Sequence, residues 1–133
     1  MPFKDADDAK DYLGGIFDTA FADPKIGPQL AKTGIIFRIG MTDPDATFVV
    51  DMAEQTVYRG DDAPEPNASL LMTADMHNAY WQGKLNFVVA MAKKQLKIEG
   101  NVGLMLKLAP LSKPLEAAYR DRLVADGRTD LLL

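Results

Sequence analysis

The side chains able to carry chemistry in this chain are few: one histidine, His77, no cysteine, and acidic pairs such as Asp43 with Asp45 and Asp61 with Asp62. Without cysteine there is no thiol nucleophile, disulfide, Cys-ligated zinc or iron–sulfur site. One histidine excludes histidine-based metal clusters, and Ser-His-Asp chemistry would have to run through His77 alone. His77 reads more simply as a helix residue four positions before Trp81. The acidic pairs sit beside proline or glycine, where solvated turn carboxylates are a simpler reading than a paired acid and base. Asp61 to Glu65 lacks the spacing of a calcium loop. Neither the GxGxxG nor the GxxxxGK[ST] phosphate loop is present, so no nucleotide, metal or other cofactor is expected.

Charge is unevenly distributed. The chain has 15 basic and 19 acidic residues, but residues 1–83 carry 6 basic and 14 acidic side chains while residues 84–133 carry 9 and 5. A net charge of −4 argues against bulk electrostatic capture of nucleic acid, and no nucleic-acid partner is expected. Lys84, Lys93, Lys94, Lys97, Lys107 and Lys113 face only Glu99 within their stretch. They suit an anionic headgroup or membrane surface, or equally a solvated face that keeps the protein soluble.

The apolar residues offer more. Met41, Met52, Met72, Met76, Met91 and Met105 spread over predicted strands and helices, and flexible, polarizable methionine can repack around ligands of different shape or simply fill a core. Tyr80, Trp81 and Phe87 flank the Gly83-Lys84 break, as aromatics at a pocket mouth or in a core would.

These residues need elements to position them. Ala9, Leu13, Ile16, Phe17, Ala20 and Phe21 recur at helical spacing, which predicts a helix over Asp5–Ala22, started by Asp5, Asp7 and Asp8 and stopped by Asp23-Pro24. A short helix is expected over Pro28–Thr33. Period-two alternation then predicts strands over Ile35–Thr42 and Thr47–Ala53, joined at Asp43-Pro44-Asp45, with further strands at Thr56–Arg59, Ser69–Thr73 and Leu96–Glu99. Thr73 caps a helix running to about Gln82 with Met76, Ala79 and Tyr80 on one stripe, and Asn86 starts another through about Lys94. Leu104, Leu108, Leu111 and Leu115 continue the helical spacing, but Pro110 should divide it into two pieces, the second reaching about Ala125 with Gly127 just beyond. Residues 1–133 read as a single domain large enough to bury a core. The acidic start of the chain is unlike a secretory signal, no apolar run spans a bilayer, and a cytoplasmic location is expected.

Residues 68–108 carry a resemblance. They read Ala68-Ser69-Leu70-Leu71-Met72-Thr73-Ala74-Asp75, then Trp81-Gln82-Gly83-Lys84-Leu85-Asn86, then Leu96-Lys97-Ile98-Glu99-Gly100-Asn101-Val102-Gly103-Leu104-Met105-Leu106-Lys107-Leu108. This order resembles the sterol carrier protein type two domain: a strand, a helix ending in Gly-Lys-Leu, another helix, a Leu-Lys-Ile-x-Gly-Asn strand and a Leu- and Met-rich last section. Members often place Gln-Gly-Lys before Leu-Lys-Ile, whereas here Lys93-Lys94-Gln95 precede Leu96.

The resemblance implies an α+β fold, a five-stranded, predominantly antiparallel sheet covered on one face by helices with a hydrophobic tunnel between. It implies non-catalytic binding or transfer of a fatty acid, acyl-CoA, sterol or phospholipid. Carried over by position, Trp81, Phe87, Val88, Met91, Leu104, Met105 and Leu108 line the tunnel, and Phe37, Ile39, Phe48, Val50, Leu70 and Met72 form its floor. Lys84, Lys93, Lys94 and Lys97 are then expected near an opening, to meet a headgroup or, transiently, an anionic membrane. The alternatives left open are a protein-interaction or accessory module with a closed tunnel, working as a homodimer or on a protein partner, and an enzyme using a carboxylate of raised pKa in an apolar pocket.

Overall fold

Asp5 begins the first helix as the acidic N-terminus anticipates: its carboxylate accepts from the Asp8 backbone N–H at 2.9 Å, and Asp7 and Asp8 lie at the positive end of the helix dipole. The structure, a computed structural model, describes residues 3–133, apart from the side chains of residues 102 and 104–106. Helix α1 (Ala6–Ala22) buries Ala9, Tyr12, Leu13, Ile16, Phe17 and Ala20 on one face. It ends at Asp23, whose carboxylate then accepts from Lys25 and Ile26, so α2 (Ile26–Thr33) starts two residues before the expected position.

The strands are β1 (Ile36–Thr42), β2 (Ala46–Asp51), β3 (Thr56–Tyr58), β4 (Ala68–Thr73) and β5 (Lys97–Gly100), in the order β3-β2-β1-β4-β5. All neighbours are antiparallel except β1 and β4. Asn67 sets that parallel pairing, since its N–H donates to the Ile36 carbonyl at 2.9 Å and its side-chain oxygen accepts from the Ile36 N–H at 3.0 Å. Gly100 ends β5 at φ +87°, where a Cβ would overlap the Asn67 carbonyl oxygen, so glycine at the Gly-Asn turn of the sequence is a steric requirement.

Alternation gives the sheet two unlike faces. Phe37, Ile39, Met41, Phe48, Val50, Leu70 and Met72 are buried on the inner one. The outer face carries exposed Arg38, Leu71, Lys97 and Glu99, with Arg38 and Lys97 paired to Glu99 at 3.6 and 3.0 Å. Helix α1 packs on β2 and β3, and α3 (Ala74–Tyr80) on β1 and β4, while α2 packs on α1 and on the long helix α5 (Val102–Ala125). Helix α4 (Phe87–Ala92) precedes β5. Thr73 and Asn86 cap α3 and α4 by accepting from Met76 and Val89, both at 3.1 Å.

Two expectations are corrected. Helix α5 is one helix, with Pro110 and Pro114 inside it. Each proline lacks the N–H that would reach back four residues, but both are exposed and lie four apart, so the two losses fall on the side of the helix that water can serve. Its inner side is held by buried Leu115, Tyr119 and Leu123. On α3 the buried residues are Ala74, His77 and Asn78, while Met76, Ala79 and Tyr80 are only half-buried. Hydrogen bonding makes this burial affordable: His77 bonds the Gly40 carbonyl, and Asn78 bonds Tyr119, Gln82 and the Leu131 carbonyl.

Candidate functional site: an apolar cavity between sheet and helices

Between the inner face of the sheet and the helices α3, α4 and α5 lies a cavity of about 330 Å³. Its floor is Phe37 and Ile39 of β1, Leu70 and Met72 of β4 and Ile98 of β5, with Phe17 of α1 and Leu30 of α2 beside them. Tyr80, Trp81, Phe87, Val88 and Met91 form one wall, and Leu108, Ala109, Leu111, Ser112 and Leu115 of α5 another. The aromatics interlock edge to face: Phe17 meets Trp81 at 5.5 Å and Tyr80 meets Phe87 at 6.1 Å between ring centroids. The turn between α3 and α4 contains Gly83, at φ +71°, whose missing Cβ leaves room for the Glu116 carboxylate.

Exposure locates the opening. Val88 is 75% exposed and Met91 43%, whereas Phe17, Leu30, Ile39 and Met72 are fully buried, so the cavity opens on the α4 side. Val89, also 43% exposed, adds to the apolar patch there. Lys84 precedes α4 and Lys93 and Lys94 follow it, all three exposed.

Of the residues singled out from sequence, Phe37, Ile39, Leu70, Met72, Trp81, Phe87, Val88, Met91 and Leu108 come together around the cavity. Phe48 and Val50 share the inner face of the sheet but lie outside the lining: they are buried on β2, under α1, where Phe48 meets Phe17 at 6.4 Å. Leu104 and Met105 lie outside the described residues. Lys97 departs from expectation because strand alternation turns Ile98 inward and Lys97 to the outer face, against Glu99. Among the described residues the lining is less methionine-rich than composition suggests: Met72 and Met91 contribute, Met41 and Met52 are core, and Met76 is half-buried outside the lining.

The expected ligand contacts left out half of the lining, including Phe17 and Leu30 from the first two helices, Ile98 of β5 and Leu111 and Leu115 of α5, and with them the polar side chains of His77 and Ser112. His77 is 2% exposed, its Nε2 donates to the Gly40 carbonyl at 2.9 Å, and burial lowers its pKa to about 4 against the opposing effect of that bond. The Tyr80 hydroxyl donates to Ser112 Oγ at 3.1 Å, which donates to the Ala109 carbonyl at 2.8 Å. None of the described lining residues is a lysine, arginine or carboxylate. A larger groove of about 500 Å³ beside α5 is open and lined partly by Glu116, Arg120 and Asp121, which suits it poorly to an apolar guest.

The carboxylates displaced from ordinary acidity are shifted downward. Burial would raise Asp8, but the hydrogen bonds from Arg128 and the Lys4 backbone prevail. Backbone donors lower Asp23, Lys97 lowers Glu99, and Arg128 lowers Asp130. Among the described residues no group of three or more His, Asp or Glu side chains is placed to hold a metal, and no helix is long and apolar enough to cross a membrane.

No curated protein matches the chain at the level of sequence. Solved structures do match in fold. The sterol carrier protein domain 2 of Helicoverpa armigera is 20% identical with a TM-score of 0.66, covering 80% of this chain and 86% of its own. The apo form of sterol carrier protein 2 from Yarrowia lipolytica is 20% identical with a TM-score of 0.63, covering 80% and 99%. Sterol Carrier Protein-2 of Aedes aegypti, in complex with C16 fatty acid (palmitate), is 21% identical with a TM-score of 0.60, covering 79% and 94%. The model of the SCP-2 sterol transfer family matches residues 16–113, a span that runs from α1 into α5 and supplies every described lining residue except Leu115. By that match, the chain belongs to the SCP-2 sterol transfer family.

Proposed function

We propose that the chain is a carrier that takes a lipid-like apolar molecule into the cavity and releases it again, with no covalent step and with the whole chain acting as one binding unit. The observation that carries this reading is the uncharged, largely aromatic and aliphatic lining of a cavity of about 330 Å³, within the range of small-molecule sites. Affinity comes from removing apolar surface from water, worth about 25 cal/mol per Å². The Aedes aegypti relative in fold, described with palmitate, supports a fatty acyl chain as one occupant.

Loading and release take place at α4. Exposed Val88, Val89 and Met91 form an apolar tip, and Lys84, Lys93 and Lys94 surround it with positive charge, the combination that draws a short helix onto an anionic bilayer. Docked there, the cavity opens toward the acyl chains rather than water.

Gentle purification followed by native mass spectrometry, with an organic extract of the same sample, tests the reading. A lipid-sized adduct displaced by a fluorescent fatty acid is the expected result. An empty protein that ignores the probe and runs as a dimer contradicts it and favours an accessory module with a closed tunnel.

A further inference from the structure

The inner face of the sheet continues past the cavity, but the cavity does not follow it. Among the described residues its floor draws on β1, β4 and β5 and on none of β2, although Phe48 and Val50 of β2 share that face. The boundary is Phe17. Its ring is 3% exposed, lines the cavity, and is held edge to face between Phe48 at 6.4 Å and Trp81 at 5.5 Å. A ring clamped from two sides does not swing aside for a guest, because it would lose both contacts in a close-packed interior. The opposite end lies at α4, where Val88 and Met91 are exposed, so the cavity has a mouth and a blind end.

Size then sets a limit. An apolar cavity of about 150 Å³ accommodates benzene, or about 25 Å³ per carbon, and that ratio gives the cavity of about 330 Å³ room for about thirteen carbons. We infer that Phe17 is the stop that fixes guest length: the site takes one unbranched chain, tail first, with about thirteen carbons enclosed, and excludes a fused-ring sterol body of roughly twice that number. This rests on the carrier reading and deepens it by naming the shape of the guest and the residue that selects it. No described lining side chain is charged, so the polar end of the guest stays at the mouth, on the side of Lys84, Lys93 and Lys94.

Calorimetric titration with saturated fatty acids from octanoate to octadecanoate reads the limit. Affinity should rise about fourfold with each added carbon while the chain is still filling the cavity, then level off at about thirteen carbons. Phe17→Leu and Phe17→Ala should move that plateau outward by about three and about six carbons, the number each removes from the side chain. Cholesterol should fail to displace a bound fluorescent fatty acid. A rise unbroken to octadecanoate, a plateau that stays put in folded Phe17 variants, or displacement by cholesterol overturns the inference and leaves the carrier reading intact. A protein that binds none of the fatty acids overturns the carrier reading itself. If both variants fail to fold, dodecanoate bearing a diazirine at its terminal carbon decides on the natural sequence: irradiation should label the stretch of α1 around Phe17, and labelling confined to α4 overturns the stop.

Discussion

The Tyr119 hydroxyl donates to Asn78 Oδ1 at 2.6 Å, and this buried bond ties α5 to α3, two helices that both contribute to the cavity wall. The same oxygen accepts from Gln82 Nε2 at 2.9 Å, and Asn78 Nδ2 donates to the Leu131 carbonyl at 2.9 Å. Leu131 is fully buried, and Gln82 also accepts from the Leu133 N–H. One asparagine thus joins two helices and the segment after α5.

Asn78→Ala removes the hub and strands the Tyr119 hydroxyl in the interior. It should cost about 2 kcal/mol of unfolding free energy in urea titration. Tyr119→Phe leaves Asn78 Oδ1 bonded to Gln82 and should cost about 1 kcal/mol. Equal, negligible losses would show that the network does not hold α5.

His77 makes stability depend on pH. Its folded pKa of about 4 lies below the ordinary value of 6.5 because burial disfavours the charged ring, so between those values the unfolded chain binds the extra proton. The contribution is therefore full above about pH 6.5 and lost as pH falls toward 4, for a total of about 3 kcal/mol. Urea titrations of the natural sequence and His77→Phe at pH 7 and pH 4.5 should show the difference between them changing in this direction. A constant difference would contradict the burial of a neutral ring.

Arg128 grips Asp8 with two nitrogens, at 2.8 and 3.1 Å, and its guanidinium lies 5.0 Å from the Tyr12 ring centre. Both charged side chains are mostly buried, at 12% and 14% exposure. Arg128→Lys keeps the charge and loses the fork, so it should still destabilise by about 2 kcal/mol in the same assay. Full stability in the lysine variant would reduce the pair to a simple surface attraction.

Reversing Lys93 and Lys94 to glutamate should weaken sedimentation with phosphatidylserine vesicles at least tenfold, at about 1 kcal/mol per lysine, and flatten its dependence on salt. Binding of a fluorescent fatty acid in buffer should persist, since neither residue lines the cavity. Vesicle binding indifferent to both substitutions would remove α4 as the docking element.

The sheet and the caps were readable because each rests on a local signal: alternation for the strands, and Asp5, Thr73 and Asn86 where three helices begin. Nine of the thirteen residues expected to contact a ligand meet around one cavity because period two and helical spacing fix which faces of β1, β4, α3 and α4 can converge. What escaped depends on partners distant in sequence. Nothing local in the sequence marks His77 and Asn78 for burial, which depends on Gly40, Tyr119 and Leu131 arriving to bond them. Pro110 reads as a break until the buried residues beyond it hold the helix together. Phe48 and Val50 have the right face, but only packing shows that α1 covers them before the cavity begins.

The central claim, that the cavity takes up an apolar chain, is tested most directly by filling it. Leu108→Trp places a larger ring in the α5 wall, and a fluorescent fatty acid should then bind at least tenfold more weakly, with unfolding free energy changed by no more than about 1 kcal/mol. Unchanged probe affinity in a folded Leu108→Trp protein would place the ligand elsewhere and contradict the account.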